Sequence, residues 1–273
     1  MRGARSAARD GLVLGALWLY AAPFFWQVLT SLRPEAELLR IPPFLPSRVT
    51  LEHYRVVLEQ SPLPHALVNS LGIAALTTAL ALALGTPAAY ALARLPVPGR
   101  RAWLLAMVAS TAFPPIATVS PLYLFLRALG LRDTWGALVL AHTSFALPLS
   151  IWLLAGFFRA VPAALEESAA VDGAGRLATL RWVTAPLAAP GMASAGLLAF
   201  LASWNEFLFA YTFTATERSR TVPVALALFP GVFEVPWGDI AAAAVLASLP
   251  PILIVVALQR YLVQGLVAGA VKD

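Results

Sequence analysis

The sequence predicts an all-α, polytopic membrane protein with six transmembrane helices. Of its 273 residues, 60% are hydrophobic and only 12% are charged, whereas soluble globular domains carry about 25% charged residues. Segments of about ten residues that alternate in polarity, as in a membrane β-barrel, are absent from the sequence. Six apolar segments are instead long enough to cross the hydrocarbon layer as helices, and they lie at residues 11–32, 65–93, 102–127, 135–158, 191–213 and 239–262.

Prolines mark the weak points of these elements. Pro114-Pro115 in the third span and Pro148 in the fourth are expected to kink or break their helices, because proline lacks the helical N–H. Six further prolines fall in the connection 33–64. That connection is predicted to be an external loop with short turns of helix, so residues 1–273 are predicted to form a single transmembrane domain.

Basic residues at the ends of the apolar segments predict the orientation. Eleven lie on the side that holds both termini and the loops 94–101 and 159–190, and eight lie on the opposite side. Because cytoplasmic loops carry an excess of Lys and Arg, both termini are predicted to be cytoplasmic. The first apolar segment exceeds the roughly 7–15 residues of a cleaved signal, so it is predicted to remain as a span.

The composition excludes several kinds of chemistry. There is no cysteine, and hence no disulfide and no thiolate nucleophile. No phosphate-binding loop, His-Glu-x-x-His or Gly-x-Ser-x-Gly motif is present, and the only lysine is Lys272. The net charge of +5 reflects arginines at span ends rather than a nucleic-acid-binding face. The chain is therefore predicted to be no enzyme, with no catalytic residue, no metal site and no nucleic-acid partner.

The longest predicted cytoplasmic loop, 159–190, has the pattern of a helix, a turn and a second helix. Pro162 suits the first turn of a helix, and residues 163–171 are mostly good helix formers. Asp172-Gly173 is expected to end this helix, and a second helical run over 176–184 is expected to end before Pro186. Two explanations fit: an ordinary amphipathic connector, or a surface whose small residues let another protein approach the backbone closely.

The spacing within this loop resembles the EAA loop of ABC importer permeases, which is Glu-Ala-Ala, three residues, Gly, nine residues and Ile-x-Leu-Pro. Here Glu167-Ser168-Ala169 is followed after three residues by Gly173 and, nine residues later, by Val183-Thr184-Ala185-Pro186, with departures at positions 168, 183 and 185. In that family the loop is a coupling helix held in a cleft of the cytoplasmic ATPase. The resemblance implies an ATPase-coupling site made of Glu166, Glu167, Ser168, Ala169, Ala170, Asp172, Gly173 and Ala174.

The resemblance extends from about residue 10 to the C-terminus. Thr221-Val222-Pro223, Trp237-Gly238-Asp239-Ile240 and the run 259–272 resemble the carbohydrate-uptake branch, the maltose-type second permease. This implies the type I importer permease fold in the cytoplasmic (inner) membrane of a bacterium or archaeon. It also implies a subunit that forms half of the pathway for a sugar or oligosaccharide. Two alternatives stay open: an importer for glycerol-phosphate-like or other small polar solutes, and an ATP-independent secondary transporter.

The resemblance implies partners as well. A second, related permease would pair with this chain as a heterodimer, and two ATP-binding cassette subunits would sit at the 159–190 loop. ATP and Mg would be bound by those subunits, and no cofactor by this chain. An extracytoplasmic solute-binding protein would dock on 33–64 and 214–237, while lipid surrounds the spans.

Polar residues in the fifth span mark a candidate solute pathway. An ionisable group inside a span faces the bundle interior or a watery cavity. Glu206 is either a structural partner of a polar group on a neighbouring helix, or a solute contact together with Asn205 while Trp204 stacks on a sugar ring. His142 in the fourth span has no carboxylate near it in sequence and does not by itself indicate a proton relay. The predicted pathway residues are Trp204, Asn205, Glu206, Tyr211 and Tyr123.

Overall fold

A computed structural model shows a chain of helices joined by short connections. It describes residues 2–38, 45–229 and 235–270, with side chains for 10–38, 45–229 and 235–261. Within these ranges no β-strand occurs, which confirms the all-α prediction. The helical elements are α1 (Arg2–Ser31), α2 (Glu35–Leu38), α3 (Glu52–Gln60), α4 (Leu63–Arg94), α5 (Arg100–Thr111), α6 (Pro115–Ala128), α7 (Trp135–Ala160), α8 (Ala163–Val171), α9 (Arg176–Thr179), a π-helical turn (Leu180–Thr184), α10 (Ala185–Leu187), α11 (Ala189–Trp204), α12 (Leu208–Phe213), α13 (Val222–Ala227) and α14 (Trp237–Ala270).

Straight helices and bent pairs of helices are both candidates for membrane spans. Four stretches in the described residues are long and apolar enough to cross a membrane unaided: Asp10–Ser31, Leu63–Arg94, Trp135–Ala160 and Trp237–Tyr261. Two more spans result when each pair of helices that meets at a sharp bend counts as one. These pairs are α5 with α6, bent by 94°, and Arg176–Leu187 with α11, bent by 82°.

The third predicted span, 102–127, consists of two helices. α5 ends at Thr111, and α6 starts at Pro115 after a bend of 94°. Neither Pro114 nor Pro115 has an N–H to continue the helical ladder, and Pro115 occupies the first helical position, where that loss costs nothing. The predicted break at this pair is confirmed. At Pro148, by contrast, the helix does not break, since α7 is continuous from Trp135 to Ala160.

The fifth predicted span, 191–213, is also interrupted. One continuous helix does not form, because α11 ends at Trp204 and α12 begins only at Leu208. The side chain of Glu206 accepts hydrogen bonds from the backbone N–H of Phe209 at 2.8 Å and of Ala210 at 3.0 Å. These are first-turn donors that would otherwise lack a partner. The carboxylate thus allows a new helix to start directly after the break.

The chain divides into two compact units, Met1–Pro64 with Ala225–Leu249 and His65–Val224 with Pro250–Asp273. In the second unit, Leu154 and Phe158 of α7 belong to one buried apolar cluster with residues of α4 and α11. A Cβ atom on Gly191 would lie 2.2 Å from Cγ of Phe157, so only glycine permits this approach of α7 and α11. Close packing of small residues is what holds helices together in lipid. That both units act as one transmembrane domain stays a prediction.

The first unit contains a buried histidine that joins the residues after α1 to the start of α14. The Nε2–H of His53 donates to the carbonyl of Arg33 at 2.9 Å, and Nδ1 lies 2.6 Å from Oδ1 of Asp239. Gly238 lets the ring lie close, because a Cβ there would be 2.2 Å from the imidazole. In the sequence, Trp237-Gly238-Asp239 is recognised only through its resemblance to a family motif. The structure shows that Gly238 and Asp239 hold the residues after Ser31 against the start of α14. Short helices α2 and α3 lie in the connection 33–64, as predicted.

A tight turn after α12 is organised by Asp133 in the second unit. Its carboxylate accepts hydrogen bonds from the N–H of Ala215 and Thr216 and from the hydroxyls of Thr216 and Ser219. Burial alone would raise the pKa of the Asp133 carboxyl, but these hydrogen bonds together hold it well below its usual range. Since the folded pKa is the lower one, this stabilisation is complete at neutral pH. It is lost only on acidification below about pH 4.

Candidate functional site

The first helix of the 159–190 loop, α8, forms over Ala163–Val171, the range that the sequence predicts. It ends at Gly173, whose φ of 83° lies in the left-handed region that favours glycine. The N–H of Gly173 donates to the carbonyl of Ala170 at 3.1 Å, and that of Ala174 donates to Ala169 at 2.9 Å. This pair of bonds is the Schellman pattern. A Cβ on Gly173 would meet no atom within 4 Å, so a side-chain clash does not explain the glycine. The turn needs glycine because of its positive φ.

The outer surface of this loop is exposed and mixed in character. Of the predicted coupling residues, Glu167, Ser168, Ala170, Asp172 and Gly173 are exposed, whereas Glu166, Ala169 and Ala174 are half-buried. Four large apolar side chains of the same loop are also exposed to solvent: Leu165 (43% exposed), Val171 (88%), Leu177 (75%) and Trp182 (71%). Exposed apolar groups gathered among polar ones are typical of a surface that binds another protein.

The second helical run differs from its prediction. It does not end before Pro186 but continues through α10, which contains that proline. The π-helical turn Leu180–Thr184 makes this possible, since the N–H of Ala185 donates to the carbonyl of Leu180, five residues back. A π turn shifts the hydrogen-bond register where proline would break an α-helix. The bend of 82° to α11 follows only after Leu187.

Glu166 connects α8 to the end of α4, a contact that the sequence does not reveal. Its Oε1 lies 3.0 Å from Nε of Arg94, as an ion pair rather than an aligned hydrogen bond, and accepts the hydroxyl hydrogen bond of Thr184 at 2.9 Å. The Arg94 guanidinium also donates to the carbonyl of Val161. The two charged side chains are only 15% and 14% exposed. The loop is therefore fastened to a transmembrane helix by a largely buried ion pair.

Glu206 and His142 form a second buried pair, across α7 and the break after α11. Nε2 of His142 lies 3.1 Å from Oε2 of Glu206, and Nδ1 lies 2.7 Å from the hydroxyl of Ser203. The imidazole is fully buried, and the carboxylate side chain is 10% exposed. Both carboxylate oxygens are occupied by backbone N–H donors as well. Of the two roles that the sequence leaves open for Glu206, this geometry favours the structural partner.

The other four predicted pathway residues do not gather around Glu206. Trp204 is only 4% exposed and its ring stacks on Phe200 at 5.7 Å, so its face is not offered to a sugar in this structure. The amide of Asn205 donates to the carbonyl of Leu201 on its own helix. Tyr211 is exposed and stacks on Phe207. Tyr123 lines a separate shallow cleft with Ser120 and Thr212.

The cavity beside Glu206 is formed by α5, α6, α7 and α11, all within the second unit. Its volume is about 430 Å³, which lies within the usual range for small-molecule sites, about 300–1,000 Å³. Glu206 is the single predicted pathway residue among its lining residues. The bend at Pro114-Pro115 lies beside this space, since Phe113 and Pro115 are among the lining residues.

We expect Glu206→Ala to lower the stability of the protein by about 1.5–3 kcal/mol, the worth of hydrogen bonds to a charged group. The change leaves the N–H groups of Phe209 and Ala210 without their acceptor. Thermal unfolding in detergent measures the loss, with Glu217→Ala, outside the membrane, as the control. Equal melting temperatures for wild type and Glu206→Ala would show that α12 starts without this carboxylate.

These features together define a class: a helical membrane protein with broken helices, a cavity among them and an exposed helix-turn-helix loop fastened to one apolar helix. A family model described as "Binding-protein-dependent transport system inner membrane component" matches residues 81–267. The chain belongs to this family.

Individual relatives agree with the family. The chain is 44% identical over 268 residues to the trehalose transport system permease protein SugB of Mycobacterium tuberculosis, with 97% of this chain and 96% of the relative covered. It is 39% identical to the trehalose/maltose transport system permease protein MalG of Thermococcus litoralis, with 96% of each covered. A chain from the crystal structure of a bacterial ABC transporter involved in the import of the acidic polysaccharide alginate has a TM-score of 0.83 at 23% identity, covering 96% of this chain and 98% of that chain.

The family membership settles the broad class of function. The chain is a transport permease and not an enzyme, as predicted, and it has the type I importer permease fold. As an inner membrane component it is a multi-pass protein that works with a partner permease, an ATPase and a solute-binding protein. This argues against an ATP-independent secondary transporter.

Proposed function

We propose that the chain is one of two different permeases in an ATP-driven importer for a disaccharide or short oligosaccharide. The observation that carries the proposal is near full-length similarity to permeases named for trehalose and trehalose/maltose transport. A phosphate-bearing solute would require basic side chains around it. The cavity supports a neutral sugar instead, because none of its described lining residues is basic. Glycerol-phosphate-like solutes are therefore the less favoured alternative.

The α8 surface receives the ATPase. Two ATP-binding cassette subunits bind ATP and Mg, since this sequence has no phosphate-binding loop. One of them contacts the exposed coupling residues and the apolar side chains of Leu165 and Val171. Closure of the ATPases displaces α8, and the Arg94–Glu166 ion pair carries the displacement to α4. In this arrangement both termini are cytoplasmic, as the arginine distribution predicts.

The opposite face receives the solute-binding protein. Its predicted contacts are the segments 33–64 and 214–237, and within the second segment the hydrogen bonds of Asp133 hold residues 215–219 in a fixed turn. Asn69 holds the same turn from α4, donating to the carbonyls of Glu217 and Arg220 at 3.0 Å and 2.9 Å. A rigid turn favours docking, because little conformational entropy is lost on binding.

Reconstitution tests the proposal. The chain is co-expressed with its second permease, its ATPase and its solute-binding protein, and the complex is placed in proteoliposomes. We expect uptake of labelled trehalose or maltose that requires ATP, magnesium and the loaded binding protein. A variant of the ATPase that binds but does not hydrolyse ATP is the control and should give no uptake. Sugar movement by the purified chain alone, without nucleotide, would refute the proposal.

A further inference from the structure

Five residues with hydroxyl groups line the cavity, and each hydroxyl already donates a hydrogen bond within the protein. The five residues donate hydrogen bonds at 2.6–2.8 Å to backbone carbonyls three or four residues earlier, and they are Ser110, Thr111, Thr118, Ser144 and Ser150. Because a carbonyl oxygen can only accept, the direction of these bonds is fixed. In this arrangement each of these hydroxyl oxygens has only acceptor lone pairs left for a further hydrogen bond.

The remaining lining provides no donors. In the part of the chain that the structure describes, the side chains around the cavity are apolar, hydroxylated or, at Glu206, acidic, and none carries an N–H. The Glu206 carboxylate is an acceptor, satisfied by two backbone N–H groups and His142. Its negative charge adds to the acceptor character of the cavity.

The start of the helix at the cavity presents few free donors. α6 begins at Pro115, which lines the cavity, directly after Pro114. A helix N-terminus ordinarily presents free N–H groups that bind anions, but proline has none. The N–H of Ala117 is also used, by the carbonyl of Pro114 at 3.1 Å. The partial positive charge of the helix end, about half a unit, is smaller than the full charge of Glu206.

We infer that this cavity is a solute subsite that accepts neutral, hydroxyl-donating sugars and rejects anionic ones. The inference rests on the proposed function. It adds to that function the chemical class of the solute and the proposal that this chain, rather than its partner permease, selects that class. A neutral sugar supplies an O–H donor for each acceptor, and the rings of Phe113 and Phe145 offer apolar surface to its C–H faces. A phosphate, sulfonate or carboxylate would be buried without a donor, which is costly, and would be repelled by Glu206.

Adjacent residues of α7 provide a matched pair of variants. Ser144 lines the cavity, and its hydroxyl donates to the carbonyl of Ala141. Thr143 makes the same kind of bond, to Val139, but is buried away from the cavity. Ser144→Ala therefore removes a hydrogen-bond acceptor for the solute. Thr143→Val removes a hydroxyl that makes the same kind of backbone hydrogen bond but does not line the cavity. Thr118→Val, on α6, gives an independent second variant in case Ser144→Ala fails to assemble.

The test uses the assembled importer, both permeases with the ATPases, in lipid nanodiscs without binding protein. The probes are labelled trehalose and, as competitor, trehalose 6-phosphate. We expect wild type to bind trehalose at least about tenfold more tightly than the phosphate, because one repulsive charge contact is worth more than the 1.4 kcal/mol of a tenfold change. Ser144→Ala and Thr118→Val should weaken trehalose binding about 3- to 10-fold, and Thr143→Val should leave it unchanged.

Three results would overturn the inference: no trehalose binding by wild type, equal binding of the phosphate, or unaltered affinity in both Ser144→Ala and Thr118→Val. Each can occur while the complete complex still imports trehalose in proteoliposomes, and then only the inference fails. If the complete wild-type complex imports no neutral sugar, the proposed function itself fails. The two failures are therefore distinguished by the uptake measurement.

Discussion

Gly173→Val is expected to abolish coupled transport while the chain still inserts into the membrane. The φ of Gly173 is 83°, and a β-branched residue in this region costs about 1–3 kcal/mol. Two kcal/mol reduces the population of the native turn about 30-fold. Without the turn, the N–H groups of Gly173 and Ala174 lose their acceptors and α8 no longer presents its surface to the ATPase. Uptake in proteoliposomes and co-purification of the ATPase measure the two effects.

Gly173→Asn is the matched control for this experiment. Asparagine is also larger than glycine but enters the left-handed region at lower cost than other residues. We expect Asn to retain most of the transport that Val loses, since a Cβ at this position meets no atom of the chain. If Asn and Val are equally inactive, the partner's surface rather than the backbone requires glycine. Normal uptake by Gly173→Val would refute the role of the α8 turn.

Arg94→Ala is expected to destabilise the protein by about 3–5 kcal/mol, the cost of leaving one member of a buried ion pair alone. Glu166 would lose the guanidinium while keeping the hydrogen bond from the hydroxyl of Thr184, and the carbonyl of Val161 would lose its donor. Because this pair fastens α8 to α4, ATP hydrolysis should continue with far less sugar moved per ATP. Thermal unfolding of the detergent complex and the ratio of uptake to hydrolysis are the measurements.

Two further variants separate the ion pair from general damage. Arg101→Ala removes an exposed arginine from the start of α5 and should alter neither quantity. The double variant Arg94→Ala/Glu166→Ala removes both charges, so it should be more stable than Arg94→Ala alone, a coupling that a double-mutant cycle isolates. If the double variant shows the sum of the two single losses, Arg94 and Glu166 do not act as a pair.

The sequence by itself determined the local elements of this protein. Local composition predicts the apolar segments and the helix 163–171, and the special backbone freedom of Gly173 predicts the turn after this helix. The structure has helix 163–171 and this turn where predicted, whereas the third and fifth apolar segments are each divided between two helices. The break at Pro114-Pro115 follows for the same reason, because proline acts on its own helix. The family resemblance likewise lay in spacing along the chain.

Only the tertiary structure decided which polar groups meet. Glu166 pairs with Arg94 and Glu206 pairs with His142, and the partners lie 72 and 64 residues apart in sequence. A local sequence pattern cannot predict pairs separated by such distances. The break at 205–207 depends on such a meeting too, since Glu206 both caps α12 and contacts α7. Packing also decided that the ring of Trp204, a predicted pathway residue, lies buried against Phe200 in this structure. In an apolar solvent a polar side chain must find a partner, but the identity of that partner is set by packing between helices.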